Sequence, residues 1–242
     1  MTTAESPPAS IEHAAEFSLR DHAVYFPSVD ALVVSDVHVG RAEASDVEFP
    51  VGERAHLVER LESLLERFAP ETVVFAGDVL QRYDYVPDVA RETLDALVGV
   101  VDDAGAALVA TPGNHDPQLP GVLDAPTPAT HTLDDVVVCH GHEPPESDGA
   151  LYVVGHDHPA IEIEGRKRPT YLYGVDAYRG GDVLMLPAFT ELAAGVTVNR
   201  MYGSDFASPL VADADAFRPV IRDADADETL WFPPLGELRP HL

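Results

Sequence analysis

An apolar run, Leu32-Val33-Val34-Ser35, breaks off into Asp36-Val37-His38-Val39-Gly40. A buried strand that delivers a carboxylate and an imidazole to one place is costly, because both groups disfavour apolar surroundings unless something pairs them. In an extended segment residues two apart point to the same side, so Asp36 and His38 can grip one cation together. Taken alone, D-x-H reads equally as a solvated strand end whose Asp caps the next turn. The pattern recurs, however. Thr72 to Ala76 closes in Gly77-Asp78, and Ala106 to Ala110 closes in Thr111-Pro112-Gly113-Asn114-His115-Asp116. Between these runs lie two stretches with helical spacing. Val51 to Phe68 places Val58, Leu61, Leu65 and Phe68 on one stripe and ends at Pro70; Val86 to Val101 carries Pro87 near its first turn. The order β-α-β-α-β makes the first three buried strands parallel, with a polar motif at each C-terminal end, where α/β sheets place their ligands.

The second half changes character. Asp135–Cys139, Leu151–Val154, Ala160–Glu164, Thr170–Tyr173, Asp182–Leu186 and Gly195–Val198 are short strand-like runs separated by turn residues, which predicts a second, more antiparallel sheet. Phe17 to Phe26 reads as a strand or hairpin, and Phe217–Ile221 and Leu230–Phe232 as edge strands. Residues 1–15, rich in Ala, Ser, Pro and Glu, read as frayed, and the Asp-Ala pairs at 212–215 and 223–226 as solvated turns. No composition break divides the 242 residues, so one domain spanning 1–242 is expected. A three-layer α/β fold with a single sheet is the structural competitor.

Polar strand ends continue through this half. His140 and His142 flank Gly141, and Gly155-His156-Asp157-His158 follows Leu151–Val154. Five of the 11 histidines stand behind an apolar run and beside a glycine, which scatter does not produce. Asp, His and Asn donors suit borderline to hard divalent ions such as Mn, Fe or Zn. The candidate ligands are too many for one tetrahedral ion, but two ions about 3.5–4 Å apart sharing one carboxylate use them all.

In this order, D-x-H, G-D, G-N-H-D, H-G-H and G-H-x-H resemble the calcineurin-like metallophosphoesterase superfamily. Gly155 to Ile161, Leu186-Pro187-Ala188-Phe189 and Gly195 to Asn199 further resemble its archaeal and bacterial ICC-like branch, some members of which are associated with DNA ligase and helicase gene clusters. The resemblance implies a four-layer α-β-β-α sandwich of two mixed sheets, with a di-metal site at strand C-terminal ends. It implies Asp36, His38 and His158 around one ion, Asn114, His140 and His156 around the other, and Asp78 bridging. The ions would be Mn, with Fe, Zn or Ni as alternatives. His115 would assist the leaving group, with Asp116 orienting its ring, while a metal-bridging hydroxide attacks a phosphoester, phosphodiesters being favoured. A non-catalytic metal-binding scaffold of the same fold would lack ligands or replace His115, and neither has happened. A phosphomonoesterase and a nuclease stay open. Gly141 to Gly155 is too short for an elaborate cap, so an open site is expected.

Composition narrows the partners. Asp and Glu number 42 against 15 Lys and Arg, a net charge of −27, and Lys167 is the only lysine. Acidity spread through the chain fits a protein working at high internal salt, where a Debye length of roughly 3 Å screens the repulsion; an acidic protein of an ordinary cell is the alternative. The charge opposes a broad nucleic-acid-binding face, though not a local one. Arg166-Lys167-Arg168, the densest cationic run, reads as a solvated hairpin turn or as a contact to a nucleotide or nucleic-acid backbone. Arg41 reads as a phosphate-binding fork or a surface salt bridge. His142 reads as a residue behind the ligands, His56 as a surface residue, and Asp84 and Tyr85 as a rim of the pocket. Tyr171, Tyr173 and Trp231 read as sheet packing. With a single cysteine, Cys139, no internal disulfide or zinc knuckle is expected. No signal peptide or membrane span is read, so the expectation is a cytoplasmic protein with no membrane partner.

Overall fold

A computed structural model describes residues 17–44, 52–224 and 226–242; the stretch read as frayed and part of the second Asp-Ala pair lie outside them. The first half runs β1 (Ser18–Arg20), β2 (Ala23–Phe26), β3 (Ala31–Val34), α1 (Arg41–Ala44), α2 (Glu53–Phe68), β4 (Thr72–Phe75), α3 (Asp88–Asp103) and β5 (Ala107–Ala110). These five strands form one sheet in chain order. β1 and β2 make the expected hairpin, and β3, β4 and β5 are parallel, with Val33 beside Val74 and Val74 beside Val109.

The second half adds β6 (His131–Leu133), β7 (Val136–Val138), β8 (Leu151–Val154), β9 (Pro159–Ile163), β10 (Arg166–Pro169), β11 (Tyr171–Tyr178), β12 (Gly181–Met185), β13 (Val196–Thr197), β14 (Arg218–Asp223), β15 (Glu228–Trp231) and α4 (Leu235–Leu238). A seven-stranded mixed sheet has the order β15-β14-β11-β12-β8-β7-β6, its β12–β8 and β8–β7 pairs being parallel.

Period-two alternation sorts the apolar side chains into layers. Leu32, Val34, Val73 and Phe75 face α2 and α3 and pack on Leu57, Leu61, Leu94 and Leu97. Their neighbours Val33 and Val74 face the other way and meet Val153, Tyr173, Leu184 and Trp231 of the second sheet. The far face of that sheet, with Val137, Tyr152 and Met185, is covered by Phe206, Leu210, Phe217 and Leu235. The result is the expected sandwich of two mixed sheets.

The outer cover of the second sheet is built of single turns, α4 and 3-10 turns such as Gly203–Asp205 and Ala214–Ala216. Two expectations need correction. β9 and β13 leave the second sheet and join β10 in a separate three-stranded sheet, β10-β9-β13. The buried stripe of α2 is Leu57, Arg60, Leu61, Leu64 and Leu65, rotated from the expected one, and Ala69 ends the helix in a left-handed conformation. Among the described residues no helix is long and apolar enough to cross a membrane.

The rotation brings Arg60 inside. Its guanidinium holds both carboxylate oxygens of Asp21 at 2.8 and 3.0 Å, donates to the carbonyls of Asp21 and Phe189, and lies 4.5 Å over the Phe189 ring. The Phe189 N–H in turn donates to Ser35 O at 2.8 Å, beside Asp36. One buried side chain therefore ties α2, the β1–β2 turn and the loop after β12 together. Removing one partner of such a pair leaves its bonds unmade, so Arg60→Ala is expected to lower unfolding stability by about 2–4 kcal/mol. A urea midpoint within the error of the parent's would count against this role.

Candidate metal centre

The chain leaves β3 at Val34, and the next residues are not extended. Asp36 and His38 have φ of 55° and 49°, with Val37 between them buried. Asp36 N–H donates to Gly77 O at 3.0 Å and His38 N–H to Asp78 O at 2.9 Å. The two side chains thus converge because alternate residues adopt the left-handed conformation, a correction to the extended geometry expected. Asp78, His156 and His158 are also left-handed, at 45°, 75° and 46°. Asp and His tolerate this region better than most residues, yet each instance costs of order 1 kcal/mol and clusters at functional sites.

The residues assigned to one ion meet closely. His158 Nε2 is 3.1 Å from both Asp36 Oδ1 and His38 Nε2. The second set meets as well. His140 Nε2 is 3.2 Å from Asn114 Oδ1, 3.1 Å from His156 Nδ1 and 3.4 Å from Asp78 Oδ1. The other Asp78 oxygen lies 3.9 Å from His38 Nε2 and 3.9 Å from His115 Nε2. Asp78 therefore stands between the two sets, with one oxygen toward each.

Electrostatics test whether cations fit. Burial pushes His38 down to about 3 and His140 down to about 4, and lowers His156 too, so these imidazoles are neutral and their lone pairs free to ligate. For Asp36 burial acts upward, but the His158 hydrogen bond and the surrounding histidines outweigh it and hold the carboxylate at about 2. At His158 burial acts downward, and the bond to Asp36 wins and raises it. Burial, reinforced by the charge of Asp36, lifts Asp78 to about 7. Asp78 is thus a carboxylate whose charge the protein alone supports poorly. Opposed imidazole nitrogens 3.1 Å apart and an under-supported carboxylate between them fit a pair of divalent cations.

Close backbone approach makes the cluster possible. A Cβ on Gly155 would overlap Asp36 Oδ2 and one on Gly113 would overlap Asp78 Oδ1. Only a bare α-carbon leaves the carboxylates their positions.

His115 and Asp116 part company with expectation. Asp116 does not reach the His115 ring. Its carboxylate accepts from the backbone N–H groups of Val79, Leu80 and Gly113 at 3.0, 2.8 and 2.9 Å, pinning the Asn114-bearing turn to the segment after Asp78. The ring is held instead by the Gln81 carbonyl, 2.8 Å from His115 Nδ1, which turns Nε2 toward Asp78. The same Gln81 offers its side-chain oxygen to Arg41 NH1 at 3.0 Å, while Arg41 Nε donates to Leu192 O at 3.3 Å. Among the described residues Arg41 makes no ion pair, and its charge is felt at both His38 and His158. Gln81 was invisible in the sequence because it acts largely through a main-chain carbonyl. Asp157, whose carboxylate accepts from the N–H groups of Ala207 and Ser208 at 2.8 and 3.0 Å, was missed because those groups lie some fifty residues away in sequence.

Other candidates resolve simply. His142 lies beside His140 and His156, its ring 5.1 and 6.1 Å from theirs. His56 is exposed and pairs with Glu191 at 3.2 Å. Tyr171, Tyr173 and Trp231 are inter-sheet core. Cys139 is buried, which pushes its thiol up to about 12.

Paired N/O clusters at the strand ends of a two-sheet sandwich define a metal-dependent hydrolase of phosphoester bonds. The chain belongs to the calcineurin-like phosphoesterase family, whose model matches residues 30–183. That family implies a dinuclear divalent metal site. Among solved structures, the fold is similar to that of nuclease MPE from Pseudomonas putida, with 24% identity over 88% of this chain and 92% of that one and a TM-score of 0.64. Yfce, a phosphoesterase from E. coli, matches at 16% identity over 81% and 88% of the two chains, with a TM-score of 0.40. No curated protein matches in sequence.

Proposed function

We propose that the chain is a two-metal phosphodiesterase, with Asp36, His38 and His158 holding one ion, Asn114, His140 and His156 the other, and Asp78 shared. The observation that carries this reading is the position of Asp78, one oxygen 3.4 Å from His140 and the other 3.9 Å from both His38 and His115. Bound divalent ions supply a nucleophile by lowering the pKa of water and offset charge on the phosphoryl oxygens. The protein does the rest. The Gln81 carbonyl accepts from His115 Nδ1–H and so orients the ring with Nε2 facing the cluster; in the imidazolium form the second proton sits on Nε2 and passes to the departing oxygen, leaving the neutral Nδ1–H ring behind. The Arg41 guanidinium, tethered to Gln81 and Leu192 but unpaired among the described residues, offers its remaining face to a non-bridging phosphate oxygen. A diester leaves one non-bridging charge fewer than a monoester for a single arginine to meet, which favours diesters.

Manganese is the proposed ion, on the hard and borderline character of the donors. Treatment with a chelator is expected to abolish turnover of bis(p-nitrophenyl) phosphate, and added Mn to restore it. Diester turnover should exceed that of p-nitrophenyl phosphate on the same preparation at molar salt. Full activity after complete metal removal would overturn the two-metal reading, and a monoester preference the diester one.

A further inference from the structure

Three surface depressions share walls and form one furrow that begins at the metal centre. The first, about 300 Å³, opens at His158 between Pro187, Thr190 and Gly195. It shares His22, Pro169 and Glu191 with a second of about 540 Å³, which takes in Arg20, Arg168 and Arg222. A third, about 340 Å³, shares Arg20 and Arg222 and ends at Arg67.

The charge along this furrow departs from the rest of the chain. Its walls carry four arginines (Arg20, Arg67, Arg168 and Arg222) against three acids (Asp21, Glu191 and Asp227), with Asp223 4.0 Å from Arg168 at the margin. The whole chain has 15 cations against 42 acids. Asp21 is further matched by buried Arg60 beneath the floor. Lys167 Nζ donates to Gly195 O at 2.6 Å, in the wall of the first depression. The Arg166–Arg168 run is therefore not a turn but the exposed strand β10, with two of its cations at the furrow. At mid-course one exposed carboxylate, Asp227, bonds both Arg20, at 3.1 Å, and Arg222. Two guanidiniums converging on one anion make a fork of the kind that also takes a phosphate.

We propose that this furrow is the track for a nucleic-acid strand, holding the sugar-phosphate backbone that flanks the phosphodiester at the metal centre, with Asp227 occupying a phosphate position until the strand displaces it. The proposal rests on the diesterase reading and names its substrate. The connected volumes are those of small-ligand clefts, which suits one strand laid lengthwise. A narrow basic strip on an otherwise acidic surface also confines the strand to the path that leads to the ions.

The test measures binding of a fluorescein-labelled single-stranded 15-mer by anisotropy across a salt series, and cleavage of the 15-mer against a dinucleotide, on the full chain with Mn. Single-strand binding changes by a slope of about −0.7 per phosphate contact in log K against log salt, so R20A/R168A is expected to flatten the slope by about 1.4. The same variant should lower the preference for 15-mer over dinucleotide. Asp227→Asn removes the competing anion and should tighten 15-mer binding several-fold, a gain that misfolding cannot mimic. An unchanged slope in R20A/R168A, or unchanged or weaker binding in Asp227→Asn, overturns the track. Binding with these signatures but no cleavage of any diester leaves the track standing and removes the hydrolase reading. Diester cleavage with no length preference does the reverse.

Discussion

Asp78→Asn is expected to lower diester kcat/KM by roughly 10³-fold or more, the scale seen when one preorganised electrostatic group is removed from an active site. The substitution keeps the shape and removes the charge. Asp78 turns a separate oxygen toward each set of donors, one 3.4 Å from His140 and the other 3.9 Å from His38. The protein supports its buried charge poorly, since burial and the charge of Asp36 outweigh the hydrogen bond from His115 N–H and lift it to about 7. Bound metal, counted by elemental analysis, should fall below two ions per chain. A variant that keeps two ions and activity within about tenfold of the parent would place the shared ligand elsewhere.

His115→Ala should behave differently. Loss of a positioned general acid costs about 10²- to 10⁴-fold, and the cost depends on the leaving group. A diester that releases an alkoxide needs the proton; one that releases p-nitrophenolate needs it far less. The loss should therefore be large on a dinucleotide and small on bis(p-nitrophenyl) phosphate, with metal content at the parent level. Equal losses on both substrates would assign His115 to charge stabilisation instead of proton transfer. Gln81 cannot be tested in the same way, because its carbonyl survives any side-chain change.

Much of this site was legible before the fold was known. The motif residues stand directly behind apolar runs, and parallel strands bring their C-terminal ends to one edge, so Asp36, Asp78 and Asn114 had to be neighbours. The second half was legible as strands but not as sheets. Pairing partners of short strands are set by tertiary contacts and not by their own alternation, which is why β9 and β13 went to a third sheet. Arg60 was unreadable because a charged residue on a helix reads as solvent-facing unless a partner such as Asp21 is known to wait inside. Asp116 was misread for a related reason. A carboxylate beside a histidine in sequence reads as its partner, yet of the three N–H groups that claim it two, those of Val79 and Leu80, come from a segment brought up only by folding. The left-handed backbone at Asp36, His38, Asp78, His156 and His158 likewise has no local signal, since Asp and His adopt that region mainly where their surroundings enforce it.

The proposed ions would lie where strand ends of the two face-packed sheets converge, Asp36, His38, Asp78 and Asn114 following strands of the first sheet and His140, His156 and His158 strands of the second. Metal affinity is therefore linked to the docking of one half-chain onto the other. Ions that bind only the docked form favour it by RT ln(1 + [M]/Kd), about 2.7 kcal/mol per site at a hundredfold excess over Kd. Loading thus acts as a clasp across the sandwich, and a fragment ending before His140 would carry Asp36, His38, Asp78 and Asn114 without His140, His156 and His158. For this chain, resistance to denaturant should track metal concentration, so that the cofactor serves as a reporter of completed folding as well as of chemistry.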